Sequence, residues 1–499
     1  MANIGKSIPH HARLRPDAIA LVEGERQVSY DALDRLISGA ALHLLAEGIQ
    51  AGDRVVIVLA NSVDWVVAYQ AALRLGAIPV PLNPLLAEAE IAAIITDCEP
   101  AIVIGRGGTV GERSPGVPMV LDLDRDGARL VETEADPVDC TACRPDDTAV
   151  ILYSSGSTGR PKGVELTHYN LLWNAQAFAL DLLRLTPEDR GYGVLPFSHV
   201  FGHTCLFTTF LLAGASISLA GRFDPEETFR TLARDRITIF MGVPTMYWTL
   251  AKAELPPGLD LSDWRACVSG GQALPQEVHA RFEERFSVLI SEGYGMTEAS
   301  PSVCGQRFFG AARKPGSAGQ PYWGVKVRIV DDAGQDVSHG ERGDILVSSP
   351  GTAKGYFRRP DLTAETFRDG WIHTGDIGVL DADGFLFVVD RKKEMIISGG
   401  YNIYPREIEE VAHRMKGVLE VAAIGQPDDR LGETIVVYVV PESGASLDGD
   451  ALLAEWSACL ARYKVPRVVR VVEALPRNAT GKIDRLRLRA MSNESGRKS

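Results

Sequence analysis

Residues Tyr153 to Gly163 read Y-S-S-G-S-T-G-R-P-K-G, and this run decides how the rest of the chain is organised. Ser154, Ser155, Gly156, Ser157 and Thr158 are small hydroxyl or glycine residues, followed by Gly159, Pro161, Lys162 and Gly163. Glycine lets backbone N–H groups approach an anion closely. Hydroxyls add donors, and the lysine adds a cation. Binding a polyphosphate uses all of these together. The preceding Thr148-Ala149-Val150-Ile151-Leu152 is apolar and β-branched, which predicts a buried strand feeding the loop. No G-K-[ST] ends the segment, so it is not a Walker A loop. A flexible Ser/Gly linker is the plainer alternative, but it accounts for neither the flanking strand nor Lys162.

A chain of 499 residues exceeds one hydrophobic core and predicts two to four domains. Hydrophobic content of 45% with 23% charged residues is that of a globular protein. The balance of 52 basic against 65 acidic residues gives −13 without a basic block, which excludes nucleic acid as an expected partner. The seven Cys are scattered and odd in number. Even the lone pair Cys140 and Cys143 lacks a zinc-spaced partner, so reduced thiols of a cytoplasmic protein are expected. Lys6, His10, His11, Arg13 and Arg15 leave no apolar stretch for a signal peptide. Gly191 and Arg222 bracket a long uncharged stretch, but Pro196, His199 and His203 interrupt it. Only residues 206–220 approach the length of a membrane span. A buried helix and strand lining a pocket is the expectation there. No integral membrane segment is expected, and peripheral membrane contact stays open.

The N-terminal part alternates helix and strand. Ser29 can cap a helix with Leu33, Leu36, Ile37, Ala40 and Leu44 on one face, ended by Gly48. Residues 55–59 form a continuous apolar run, as a doubly covered parallel strand does. Asn61 or Ser62 can cap the next helix, and Gly76 stops it. Short strands are also expected at residues 237–240 and 266–269. From about 319 to 389, alternating segments at 325–330 and 344–347 with turns at Asp332-Ala333-Gly334, Gly340 and Asp383-Gly384 predict antiparallel pairing, as a small β-barrel or twisted sheet. A compact α/β unit follows, its first helix announced by Pro405. The tail from Asn493 is polar and is expected to be disordered.

Further signals are each weak alone. In Glu292-Gly293-Tyr294-Gly295-Met296-Thr297-Glu298, Tyr294 could stack on a base, Thr297 could touch phosphate and Glu298 could hold Mg²⁺. In His373-Thr374-Gly375-Asp376, an Asp after a tight turn could accept from ribose hydroxyls or stabilise the turn. Gly399 and Gly400 offer close backbone approach or another turn, and Lys482 is a single lysine beside a Gly/Thr/Asn loop.

Taken in order, YSSGSTGRPKG, SGGQALP, EGYGMTEASP, GWIHTGDIG, DRKKEMIISGGYNIYPREIEE and PRNATGKIDR resemble the adenylate-forming superfamily. That superfamily comprises acyl-CoA synthetases, aryl-CoA ligases, carrier-protein-loading adenylation domains and beetle luciferases. The resemblance covers nearly the whole chain and is greatest to bacterial fatty acyl-CoA ligases and 4-coumarate-CoA ligases. It implies an α/β fold. A large N-terminal domain, residues 1–390, would hold two α/β subdomains and a small β-barrel. A small mobile α+β domain, residues 391–499, would carry the catalytic lysine.

By the same resemblance, Ser154, Ser155, Gly156, Ser157, Thr158 and Lys162 grip the β- and γ-phosphates of ATP. Gly270, Gly271 and Gln272 wall the adenine and the acyl carboxylate. Gly293 and Tyr294 adjoin the adenine, Thr297 the α-phosphate, and Glu298 holds Mg²⁺. Asp376 and Arg391 hold the ribose, Lys393 is the hinge, and Gly399 and Gly400 approach the pantetheine of coenzyme A. Lys482 bridges carboxylate and phosphate, and joins Thr297 and Glu298 as the catalytic set. His199, Phe201 and Cys205 lie beside the acyl tunnel. Phe201 and Cys205 depart from the Tyr and small polar residue of coumarate ligases, which favours an alkyl acid.

The implied activity is an ATP-dependent carboxylate–CoA ligase, most readily on a medium- or long-chain fatty acid. The alternatives are an aryl- or hydroxycinnamate-CoA ligase, or an adenylating enzyme that passes its acyl group to a carrier-protein thiol or an amine. A monomer or homodimer is expected.

Overall fold

The computed structural model describes residues 3–107, 119–125, 130, 132–154, 162–309, 313–428, 430–477 and 482–496; the side chains of Ser154 and of 493–496 are not described. The chain divides into two compact units. The first comprises Met1–Leu274, Phe282–Val327 and Val347–His373, and the second Pro275–Arg281, Arg328–Leu346 and Thr374–Ser499.

Two parallel-strand sheets organise the first unit. In the smaller, the strands run Ile78–Leu82, Arg54–Val58, Ile102–Gly105, Met119–Asp122, all parallel. Arg54–Val58 is paired on both edges, and its consecutive residues 55–58 are all buried, so both faces are covered and the run is continuously apolar rather than alternating. The Ser29 hydroxyl accepts from Ala32 N at 3.2 Å and starts the helix Tyr30–Ala46, whose Leu33, Leu36, Ile37, Ala40 and Leu44 are all buried. Ser62, not Asn61, caps Val63–Arg74. Asn61 instead donates to the carbonyls of Gly193 and Leu195, each at 2.8 Å, and accepts from Phe197 N at 2.9 Å. It thereby ties the loop after Arg54–Val58 to the larger sheet.

That larger sheet has nine strands. Six are mutually parallel, in the order Ile290–Gly295, Ala266–Ser269, Ile239–Gly242, Arg190–Gly193, Ser216–Leu219, Ile19–Glu23. Antiparallel strands finish both edges. The apolar stretch at 206–220 is buried helical chain followed by the strand Ser216–Leu219. Among the described residues, no helix is long and apolar enough to cross a membrane.

A three-stranded antiparallel sheet completes the first unit, with Lys162–Thr167 between Thr148–Ser154 and Gly355–Tyr356. Tyr153 pairs with Gly163 and Ser154 with Lys162. The Ser/Gly segment therefore joins two antiparallel strands, whereas a P-loop joins a strand to a helix.

The region read as a small barrel or twisted sheet is a five-stranded sheet that contains Lys326–Val330, Gly343–Ser348, Trp371–Leu380 and Leu386–Arg391. A second five-stranded sheet is built around the long hairpin Val418–Asp428 and Gly432–Pro441. Alternation along this hairpin sorts its residues onto two faces. Val421, Ala423, Ile435, Val437 and Val439 pack with Ile408 and Trp456. Ala422, Ile424, Val436, Tyr438 and Val440 pack with Leu475 and Leu488. The helix Arg485–Gly496, anchored by the buried Leu488, continues past Asn493 where disorder was expected, and residues 497–499 lie outside the described residues.

Candidate active site

In the first unit, neighbouring parallel strands bring two of the sequence blocks together. Ser269 pairs with Glu292, so Gly270 and Gly271 leave one strand where Gly293 and Tyr294 continue the next. Open parallel sheets bind ligands beyond such carboxyl ends. Tyr294 lies opposite Cys304 on the antiparallel edge, and Thr297 and Glu298 follow in a single 3-10 turn.

Phe201 and Cys205 stand on a wide π-helical turn, Phe201–Thr208. A Cβ on Gly270 would lie 3.2 Å from the Phe201 ring, so glycine there lets the ring close onto the strand end. His199 Nδ1 lies 3.3 Å from Phe201 N. Cys205 Sγ is 3.5 Å from Ser302 Oγ, which donates to Asn174 Oδ1 at 3.0 Å. Burial pushes the Cys205 thiol up to about 12, so it is a packing group rather than a nucleophile. His203 on the same turn is 2.7 Å from the Tyr69 hydroxyl, and burial lowers it to about 3, which keeps it neutral.

Lys162 and Glu298 are brought together through a residue that sequence reading passed over. The Tyr356 hydroxyl donates to Glu298 Oε1 at 2.7 Å, and the Lys162 ammonium lies 5.5 Å from the centroid of the Tyr356 ring. Tyr356 belongs to a two-residue strand, too short to show periodicity. The only local signal was Gly355-Tyr356 shortly before Pro360. Ser155, Gly156, Ser157 and Thr158 lie outside the described residues, as does the side chain of Ser154.

Asp376, Arg391 and Lys482 form a charged group in the second unit. Asp376 does not follow a tight turn as expected. It lies within the strand Trp371–Leu380, opposite Arg391, because antiparallel pairing continues through it. The Arg391 Nε is 3.4 Å from Asp376 Oδ1. Thr374 Oγ1 accepts from Asp376 N at 3.1 Å and donates to the Ile345 carbonyl at 2.7 Å. Burial, helped by the Arg391 charge, lowers the Lys482 ammonium to about 8, against the opposing pull of Asp376 and Glu394. Lys393 sits in the turn closed by Glu394 N donating to the Arg391 carbonyl at 3.0 Å.

Gly399 and Gly400 have φ of +58° and +83° and join Ile396–Ser398 to Tyr401–Ile403. A two-residue hairpin with positive φ at both positions is the turn that suits glycine.

The model of the family described as AMP-binding enzyme matches residues 8–357, and that of the AMP-binding enzyme C-terminal domain matches residues 407–482. The chain is 38% identical over 481 residues to a feruloyl-CoA synthase of an Amycolatopsis species, covering 95% of each protein. It is 34% identical to a long-chain-fatty-acid–CoA ligase of Bacillus subtilis, covering 95% of this chain and 91% of that one. Its fold matches ATP-bound MatB from Rhodopseudomonas palustris with a TM-score of 0.90 at 32% identity over 98% of each chain. The protein therefore belongs to the AMP-binding enzyme family, has the adenylate-forming fold of a large N-terminal and a small C-terminal domain, and is an AMP-forming acid–thiol ligase.

Proposed function

We propose that this ligase activates a medium- or long-chain fatty acid with ATP and transfers it to coenzyme A. A free carboxylate has no adequate leaving group. One carboxylate oxygen would attack the α-phosphorus, and the bond to the bridging oxygen of pyrophosphate would break. The thiolate of coenzyme A would then attack the acyl carbonyl, and AMP would leave with the former carboxylate oxygen. Charge grows on the phosphate oxygens in the first step, so fixed donors and cations must already be in place. Lys482 supplies one, Thr297 and Lys162 others, and the Ser154–Thr158 segment holds the outer phosphates. Tyr294 would stack on adenine beside Gly293, and Asp376 with Arg391 would hold the ribose.

Mg²⁺ fits this donor set through Glu298. Among the described residues no cluster of three His, Cys, Asp or Glu could cage a metal, but Mg²⁺ on nucleotides uses one or two carboxylates together with phosphates and water. Bound there, it would neutralise phosphate charge.

The observation that carries this reading is Lys482, half-buried within the field of Arg391 and Asp376, which are themselves 3.4 Å apart, with its ammonium lowered to about 8. A cation brought to the α-phosphate would stabilise the first step and obstruct the arriving thiol. We therefore assign 1–390 and 391–499 as the functional division, with Lys393 as the hinge and Gly399–Gly400 as the strip along pantetheine.

An alkyl acid is supported by Phe201 against Gly270 and by Cys205 engaged with Ser302, with His199 and Gly271 beside them. The feruloyl-CoA synthase relative supports a hydroxycinnamate as the second reading. A panel of carboxylates from C2 to C18 with benzoate and cinnamates, followed by AMP release with and without coenzyme A, separates the two. Release that needs coenzyme A and peaks on alkyl acids supports the first. Release independent of coenzyme A counts against a CoA ligase.

A further inference from the structure

Glu298 and Lys162, far apart in sequence, meet on opposite parts of one side chain. The Tyr356 hydroxyl holds the carboxylate, and the ring face lies within the distance at which an ammonium is attracted to an aromatic. Tyr356 is only 8% exposed. Its position is set independently of both partners. Its N donates to Thr363 Oγ1 at 2.9 Å, and it pairs with Val164, two residues along the strand from Lys162. Ala353 N donates to the Glu298 carbonyl at 2.9 Å. Residues 353 to 356 thus hold Glu298 by backbone and side chain together. Burial, and then the Glu298 charge, keep the phenol protonated far above neutral pH, so the phenol donates and the carboxylate accepts.

Tyr356 engages Glu298 and Lys162 through different chemistry, a hydrogen bond for one and a π face for the other.

We propose that Tyr356 is the positioning residue for nucleotide activation. It holds one oxygen of Glu298, leaving the other to meet a divalent cation, and it steers Lys162 toward the phosphates while keeping the two charges apart. This rests on Glu298 and Lys162 acting on metal-bound ATP as proposed above.

Three single variants of the whole chain and one double variant test it. Tyr356→Phe keeps the ring and removes the hydroxyl, Tyr356→Leu removes both, and Glu298→Gln is the reference. Mn²⁺ binding in the presence of ATP is followed by electron paramagnetic resonance. ATP binding without metal, in chelator, is followed by calorimetry, and thermal melting is recorded for each variant. Tyr356→Phe is expected to weaken Mn²⁺ binding about tenfold, the scale of a hydrogen bond to a charged group, with metal-free ATP affinity within about twofold of the parent. Tyr356→Leu is expected to lower metal-free ATP affinity a further roughly threefold. The double variant Glu298→Gln/Tyr356→Phe is expected to bind Mn²⁺ no more weakly than Glu298→Gln, because both changes remove one interaction.

Normal Mn²⁺ binding in Tyr356→Phe, with weakened binding in Glu298→Gln, overturns the proposal and leaves the Glu298 assignment standing. Normal binding in Glu298→Gln overturns both. Parallel loss of melting temperature, metal binding and metal-free ATP binding in Tyr356→Phe makes the residue merely structural and also overturns the proposal.

Discussion

Glu298 is held by a neutral hydroxyl, whereas Lys482 is surrounded by charges. The first arrangement, Glu298–Tyr356–Lys162, is built on strand pairing and a short hydrogen bond in one compact unit. Its geometry is fixed by backbone pairing. The second, Asp376–Arg391–Lys482, is built in the other unit from a buried carboxylate, a largely exposed guanidinium and a lysine whose proton is loosely held. One region offers position, and the other offers a charge that can be tuned. The contrast suits a reaction in which the nucleotide must stay seated while a cation serves the first step and then yields to a thiol.

The largest expected effect breaks the comparison at Lys482. Lys482→Ala should slow pyrophosphate exchange by about 10²- to 10³-fold, the scale of losing one transition-state donor. Thioester formation from supplied acyl-AMP should be nearly unchanged. Equal loss in both assays would remove the division of labour.

Lys393→Pro comes next. Proline holds φ near −65°, so the hinge would lose the rotation it is proposed to absorb. Thioester formation should fall by about an order of magnitude, with pyrophosphate exchange kept. Unaltered thioester kinetics would assign the hinge elsewhere.

The pH profile sharpens the second region. With its ammonium lowered to about 8, Lys482 is charged below that pH and neutral above it. kcat/KM for adenylation should therefore decline above pH 8, approaching about tenfold per unit. Arg391→Met removes a repelling cation and should move that limb to higher pH, while Asp376→Asn should move it lower. A limb that stays in place in both variants belongs to another group.

The smallest effect concerns the pantetheine strip. Gly400 has φ of +83°, and no atom lies within 4 Å of where a Cβ would stand. Gly400→Ala would meet backbone strain alone, about 1 kcal/mol. A thermal melt lowered by a few degrees is expected, and a much larger drop would show that the side chain meets an obstacle.

Local signals carried much of the fold. Ser29 and Ser62 start helices through their own hydroxyls, and the run at 55–59 announces a strand covered on both faces, because capping and burial depend on neighbours in sequence. Gly399–Gly400 was legible as a turn for the same reason. Asp376 was misread because Gly375, with φ of +73°, imitates a turn while the strand continues through it.

The chain alone determined the family, the order of the nucleotide blocks and the identity of the charged groups, since each is written in contiguous residues. Only the tertiary structure decided that Tyr356 joins Lys162 to Glu298, that Asn61 braces the larger sheet instead of capping a helix, and that burial and then Arg391 loosen the proton on Lys482. Those outcomes depend on distances between residues remote in sequence and on exclusion of water, and neither quantity exists until the strands have paired.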